Sequence, residues 1–424
     1  MKEDFLHYVW KYQLFKKEDL RSSENEVIHI LKSGTHNRNA GPDFLNAKIE
    51  VNHQIWVGNV EIHLKSSDWY AHHHENDVNY DATILHVVYE HDVAVYLKGN
   101  VVLPTLILKE LIASDLLSNY LKLSNATSNW IPCGEQVSTI DAFLFSNWKE
   151  RLFFERLERK AVFIDALLAH QNNDFEAVLF QLLAKNFGLK VNGEAFLALS
   201  KSINFSIVRK VRSNEHQLMA LLFGQAGFLA EEIQEAHHVS LKKEYAYLQH
   251  KFALQPLTKQ QFSFFRMRPN NFPTIRIAQL GSLYHLHQNL FSKLMQISKT
   301  EDFYSLIAVS ISSFWQTHYT FDTISKKSTK QLTKSFIDLL IINTIIPLKF
   351  VYEKSRGVIN EDEIVSVLSQ MKPEKNSIVS KFKDLKVGSD SAFDTQSLLE
   401  LKNNYCVPKR CLDCAIGNAL LSKK

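Results

Sequence analysis

The sequence predicts an α/β module followed by a mostly α-helical region. Over roughly the first 115 residues the runs EVIHILKSG, FLNAKIEV, IWVGNVEIHL, ATILHVVYE and VVLPTLILK are rich in Val and Ile and alternate with period two, as strands do. From about Ile140 to Ile345 apolar residues instead recur at helical spacing, with charge on the other face. At 424 residues the chain is also long for a single core, so two or three domains are expected. We place them at 1–115 (α/β), 116–345 (helical) and 346–424, a C-terminal helical segment that ends in a cysteine cluster.

The elements follow in order. MKEDFLHYVWKYQLF mixes charges into an apolar pattern and reads as an amphipathic helix, not a secretory signal. FLNAKIEV and IWVGNVEIHL are separated by Asn52, His53 and Gln54, which reads as a hairpin. Asp77, Tyr80 and Asp81 precede ATILHVVYEHD in a loop-and-cap position, and His86 alternates with apolar neighbours as a core histidine does. DAFLFSNWKERLFFERLERKAVFIDALLAH opens the helical region; its Arg151, Arg156, Arg159 and Lys160 form a basic stripe expected to be solvated. FIDLLIINTIIPLKF is interrupted by Asp338, Asn343, Pro347 and Lys349, so a buried helix is expected there, not a membrane span.

Composition narrows the function classes. Hydrophobic residues at 45% and charged residues at 22% are ordinary for a soluble globular chain. The net charge of +4 permits a nucleic-acid partner without requiring one. No membrane partner is expected, and the expected compartment is a bacterial-type cytoplasm. There, four cysteines signify metal binding or free thiols sooner than disulfides.

The densest chemistry lies in residues 41–74. Gly41 and Pro42 set a turn that leads Asp43 into a strand. On the next strand Glu61, His63 and Lys65 are two apart and project from one face. An antiparallel hairpin brings Asp43 near Glu61. Two carboxylates suit a hard divalent ion such as Mg²⁺ or Mn²⁺, which polarises a phosphate and activates water, with His63 or Lys65 steadying charge. The plainer reading is the solvent-facing half of an ordinary strand. Ser67, Asp68 and Trp69 suggest a helix cap with a supporting role; of His72, His73 and His74, one (His72) is expected to support the site. Arg38, in the loop before Gly41, is a candidate phosphate contact. So are Arg266, Arg268 and Arg276, which flank Pro269-Asn270-Asn271-Phe272-Pro273; a domain hinge is the alternative there.

Cys406, Cys411 and Cys414 form a C-x4-C-x2-C cluster, and Cys133 stands far upstream. Four thiolates suit tetrahedral zinc or an iron–sulfur cluster; buried free thiols are the alternative.

The N-terminal layout resembles the P-D-(D/E)-x-K nuclease superfamily. That resemblance implies a helix, a three-stranded meander, a helix and a further strand, with Asp43 as the first acid and Glu61 as the second. His63 stands where lysine is usual. Very-short-patch-repair endonucleases carry His there too, and Trp69 with His72 to His74 is similar to their pattern. The distant cysteine plus three terminal ones resembles the split clasp of iron–sulfur nucleases, with a different spacing. Over nearly the whole chain, GPDFLNAKI, GNVEIHLKSSDWY, LHVVYEHD, RMRPNNFPTIRIAQL and RCLDCAIGNALL resemble an uncharacterised bacterial family catalogued as a domain of unknown function. The leading expectation is a metal-dependent nuclease acting on DNA or RNA. The others are a catalytically inactive nuclease-fold module that binds nucleic acid or protein, and a scaffold with a structural metal.

Overall fold

A computed structural model describes residues 1–126 and 129–423. The chain forms two compact units: Met1–Trp148 with Asp384–Val387 and Leu401–Lys424, and Lys149–Lys383 with Gly388–Glu400.

The first unit opens with α1 (Glu3–Tyr12), whose Phe5, Leu6, Val9 and Trp10 are fully buried. Glu3 and Asp4 lie in its first turn, where carboxylates complement the helix dipole. The strands are β1 (Ile28–Lys32), β2 (Thr35–His36), β3 (Phe44–Val51), β4 (Gln54–Lys65), β5 (Thr83–Glu90), β6 (Tyr96–Leu97), β7 (Val101–Val102) and β8 (Thr105–Ile107). The main sheet runs β1-β3-β4-β5-β8, with β2 also paired to β3. β1, β3 and β4 are antiparallel, whereas β4, β5 and β8 are parallel. The β3–β4 hairpin turns on Asn52 and His53, both left-handed at φ 48° and 69°, as a two-residue primed turn requires. The crossover from β4 to β5 holds α2 (Asp68–Ala71) and two 3₁₀ turns, His74–Asn76 and Val78–Tyr80. The helix α3 (Ser114–Ser124) follows the sheet.

Alternation along β4 is lost toward its C-terminal end. Val60, Glu61, Ile62 and His63 are all buried, because both faces of the sheet are covered there; Lys65 is exposed. Two irregularities tune this region. β3 bulges between Phe44 and Ala47 with Asn46 left-handed at φ 55°, and the β4–β5 register shifts between Asn59 and Val60. Bulges of this kind re-aim side chains beside functional sites. Gly58 sits next to the second one. A Cβ there would lie 2.4 Å from Ile84 Cγ2 and 2.5 Å from the Ala82 carbonyl, so only glycine lets β5 approach.

The second unit is helical, including Phe175–Phe187, Glu215–Gln225, Ala236–Phe252 and Pro273–Leu286 packed on one continuous core. The apolar run expected to be buried forms the helix Lys334–Ser355, long and apolar enough to cross a membrane but 72% buried within the protein. Its centre, Ile341–Ile345, is a π-helical turn. In that register the Ile342 carbonyl looks to residue 347, a proline with no N–H. Lys160 Nζ donates to it instead at 3.1 Å, and to Asn343 Oδ1 at 3.1 Å. The basic stripe is therefore only partly solvated: Arg156 Nε donates to Gln396 Oε1 at 2.6 Å, Arg159 pairs with Glu400, and burial pushes the Lys160 amine down to about 7.

Candidate functional site

Asp43 stands where the chain enters β3, and the loop before it is built to present it. Asn37 Nδ2 donates to the carbonyls of Ala40 (3.2 Å) and Pro42 (3.0 Å), and the Asn37 N–H donates to the Asp43 carbonyl at 2.7 Å. Gly41 supplies the left-handed φ of 97° that closes this loop. Across the hairpin, Asp43 and Glu61 lock reciprocally. The Asp43 N–H donates to Glu61 Oε2 at 3.0 Å, and the Ile62 N–H donates to Asp43 Oδ2 at 3.0 Å.

Histidines complete the centre. His7 of α1 brings Nε2 to 3.1 Å from Asp43 Oδ2. Burial opposes a charge on His7, but Asp43, with Glu3 and Glu61 behind it, outweighs burial and lifts the imidazole above its ordinary value. His63 is buried, with Nε2 3.1 Å from His72 Nδ1 and 3.5 Å from Glu61 Oε1. Its Nδ1 lies 2.9 Å from Nε2 of the fully buried His86, a second-layer contact that holds the ring's orientation. Burial, then His74, His72 and His7, push His63 down to about 3, so it is neutral at pH 7. Burial, reinforced by Asp43, raises the Glu61 carboxyl.

Two of the three consecutive histidines turn toward His63, His74 half-buried and His72 still exposed. His73 takes the left-handed conformation, φ 60°, which turns the chain so that its neighbours share a side. Ligand nitrogens of His63, His72 and His74 all lie within 4.8 Å of one another. His74 Nε2 is 3.3 Å from Glu61 Oε1, and its ring stacks on Tyr80 at 3.8 Å. His7 Nε2 and His74 Nε2 are buried and close to carboxylates, yet neither makes a well-directed hydrogen bond to a described residue. The ring nitrogens of His63, His72 and His74 beside two carboxylates are a donor set that fits a divalent ion of nitrogen-and-oxygen preference.

The supporting residues are structural. Trp69 is fully buried, with its ring edge-on to His74 and His86. Asp68 Oδ2 accepts the Lys65 N–H at 2.9 Å and so ends β4, while Ser66 and Ser67 are tied to Asp92. Asp77 Oδ1 accepts the Asn79 N–H at 2.9 Å, the cap role read from the sequence. Beside His7 opens a cleft of about 420 Å³ lined by Lys2, Lys11, Arg38, Lys409 and Arg410 against two acids, Asp4 and Asp413, so its balance is cationic. Arg38 thus joins the region, together with two C-terminal cations.

Cys133, Cys406, Cys411 and Cys414 line one cavity of about 10 Å³ in the first unit. Burial and then the neighbouring cysteines push Cys133 up to about 12; burial and then Cys414 push Cys411 up to about 11. Cys406 and Cys414 are raised as well, again chiefly by burial. The backbone N–H groups of Ile416 and Gly417 point at the Cys414 sulfur. A Cβ on Gly417 would fall 2.0 Å from the Cys411 carbonyl, so glycine is needed where the last helix meets the cage.

The arginines of the proline loop belong to the second unit. Arg266 is exposed over the Phe265 ring, Arg268 is exposed at a cavity mouth, and Arg276 is buried.

His7 and His74 were the residues that sequence reasoning missed. The signal for His7 was its i, i+4 spacing from Glu3 on a helix. No curated protein and no solved structure matches the chain. A family model described as "Protein of unknown function (DUF2851)" matches residues 3–377, most of the length, and the chain accordingly belongs to the DUF2851 family.

Proposed function

We propose that the first unit is a metal-dependent phosphodiesterase, a nuclease acting on DNA or RNA. The observation that carries this is the reciprocal lock of Asp43 and Glu61 across the hairpin, with neutral His63 beside them. The helix, antiparallel strands, helical crossover and parallel strand around that lock accord with the P-D-(D/E)-x-K resemblance. Asp43 and Glu61 would hold the ion, with His63, His72 and His74 offering nitrogen. That mixture suits Mn²⁺ or Zn²⁺ better than Mg²⁺, which prefers oxygen. A bound divalent ion supplies phosphate polarisation and an activated water. The chain's own part would be to align the phosphodiester: Lys11, Arg38, Lys409 and Arg410 would attract the backbone, and His7, kept basic by Asp43, would hold or give a proton at the leaving oxygen.

The test is cleavage of plasmid and of single-stranded oligonucleotides by the full chain with Mn²⁺, Mg²⁺ or Zn²⁺. Asp43→Ala and Glu61→Ala should each abolish metal-dependent cleavage. Equal cleavage by both variants would sink the assignment.

One observation favours a second reading, an inactive nuclease-fold module that binds nucleic acid. Both ring nitrogens of His63 are engaged by His86 and His72, and Lys65 is exposed at the strand's end, so no lysine fills the usual place. Metal-independent binding of nucleic acid without cleavage would select it. At the cysteines we propose zinc: four thiols around space for one ion suit a tetrahedral site, and such a site accords with a reducing cytoplasm. Absorbance near 400 nm in the purified protein would overturn zinc in favour of an iron–sulfur cluster.

A further inference from the structure

The helical unit has a cavity of about 490 Å³ that neither carboxylate nor cysteine site uses. That is the size range of small-molecule sites. Its walls carry Arg268, Arg276 and Lys330, and no acidic residue lines it.

Arg276 is the informative member. It is 7% exposed, and the Phe336 ring lies 3.7 Å from its guanidinium carbon. Nη1 donates to Gln279 Oε1 at 2.9 Å and Nη2 to Asn271 Oδ1 at 2.6 Å, both neutral acceptors. Nε is buried and has no hydrogen-bond partner among the described residues. Burial alone pulls Arg276 down to about 10, so it stays charged at neutral pH with no carboxylate to answer it. Lys330, 4% exposed, donates to Trp315 O at 2.6 Å and His318 O at 2.8 Å and lies 3.9 Å from the centre of the Tyr319 ring, again neutral partners.

Buried cations without counter-charge are costly unless something anionic answers them. The scaffold is built to keep Arg276 in place: Gln279 Nε2 donates to the Lys330 carbonyl at 2.7 Å, which ties the two cationic elements together. Arg268 adds an exposed guanidinium at the mouth, and Thr333 and Ser335 add hydroxyls. Several cations with many neutral donors match a dianion with three acceptor oxygens better than a monoanionic carboxylate. Tyr319, Leu189 and Leu339 give an apolar side against which an organic body can lie.

We propose that this cavity binds a small phosphorylated molecule of nucleotide size, its phosphate held by Arg268 and Arg276. The site is independent of the metal centre.

The experiment is calorimetric titration of the full chain with AMP and, separately, with inorganic phosphate. Saturable one-to-one binding is expected. Arg268→Ala, a change at an exposed position, and Arg276→Gln should each weaken it by at least ~10-fold, the scale of one charge-assisted hydrogen bond. Asp43→Ala should bind like the wild type, which separates this site from the nuclease reading. AMP binding tighter than phosphate identifies an organic phosphate; equal affinities identify the bare anion, and both support a phosphate site. Binding of neither probe, or affinity unchanged in Arg268→Ala and a folded Arg276→Gln, overturns the proposal. So does binding of a single-stranded oligonucleotide when AMP does not bind, which would assign the cavity to a nucleic-acid backbone.

Discussion

Replacing Glu61 with glutamine separates a metal ligand from a structural acid by the sign of two effects. Glu61 is 5% exposed, and its Oε2 accepts the Asp43 N–H. Glutamine keeps an acceptor for that N–H and removes a charge that burial and Asp43 both disfavour. The metal-free protein should therefore be unchanged or stabilised by about 1 kcal/mol. Metal binding should move the other way. Loss of a charged ligand is expected to weaken the ion on the order of 100-fold. With metal at ~100 times the wild-type Kd, ligation stabilises the wild type by about 2.7 kcal/mol, whereas a 100-fold weaker variant gains only about 0.4 kcal/mol. For a unit of roughly 150–250 residues each kcal/mol is worth about 2–4 °C, so the wild type should gain roughly 5–10 °C and Glu61→Gln about 1 °C. The assay is thermal unfolding with and without Mn²⁺ after chelator treatment. Equal metal-induced shifts in the two proteins, or a metal-free variant weaker by more than about 2 kcal/mol, would refute the reasoning and make Glu61 a structural group.

Three further outcomes follow from other parts of the chain. Cys414→Ser should lower the zinc content per chain measured by atomic emission; unchanged content would disconnect that thiol from the site. Burial holds Lys160 at about 7 in the folded protein, below the ordinary lysine value, so the unfolded chain binds the extra proton above that pH. Stability should therefore rise with pH from about 7 to about 10.4, by at most ~1.4 kcal/mol per unit, and denaturant midpoints of Lys160→Met should lack that rise. Gly58→Ala should cost about 1–3 kcal/mol by driving a methyl into Ile84 and the Ala82 carbonyl, read as a lower urea midpoint; an unchanged midpoint would mean β5 yields freely.

Much of the architecture was legible because periodicity is local. FLNAKIEV is β3 residue for residue, and the hairpin at Asn52 and His53 follows from two residues that tolerate left-handed backbone. The apolar run 336–350 falls within a buried helix, as its polar and proline interruptions led one to expect; the π turn at Ile341–Ile345 and its contact with Lys160 came only with the structure. The candidate site was legible in part. The turn in the sequence puts Asp43 and Glu61 on one hairpin, but the bulge between Phe44 and Ala47, which shifts the register by one residue, is what sets them opposite each other. That Glu61 and His63 are buried was not legible, because strand alternation cannot tell a solvated face from one covered by another element.

By itself the sequence determined the class, the main strands and the hairpin that carries both carboxylates, since each depends on residues close along the chain or on one turn. Tertiary structure decided what surrounds that pair. His7 arrives from a helix 36 residues before Asp43, His72 and His74 converge because His73 reverses the backbone, and Cys133 meets cysteines some 270 residues later. It also decided that Arg276 is buried, stacked on the Phe336 ring and hydrogen-bonded to the neutral Gln279 and Asn271. Those facts rest on which faces pack together, and packing is a property of the whole folded chain.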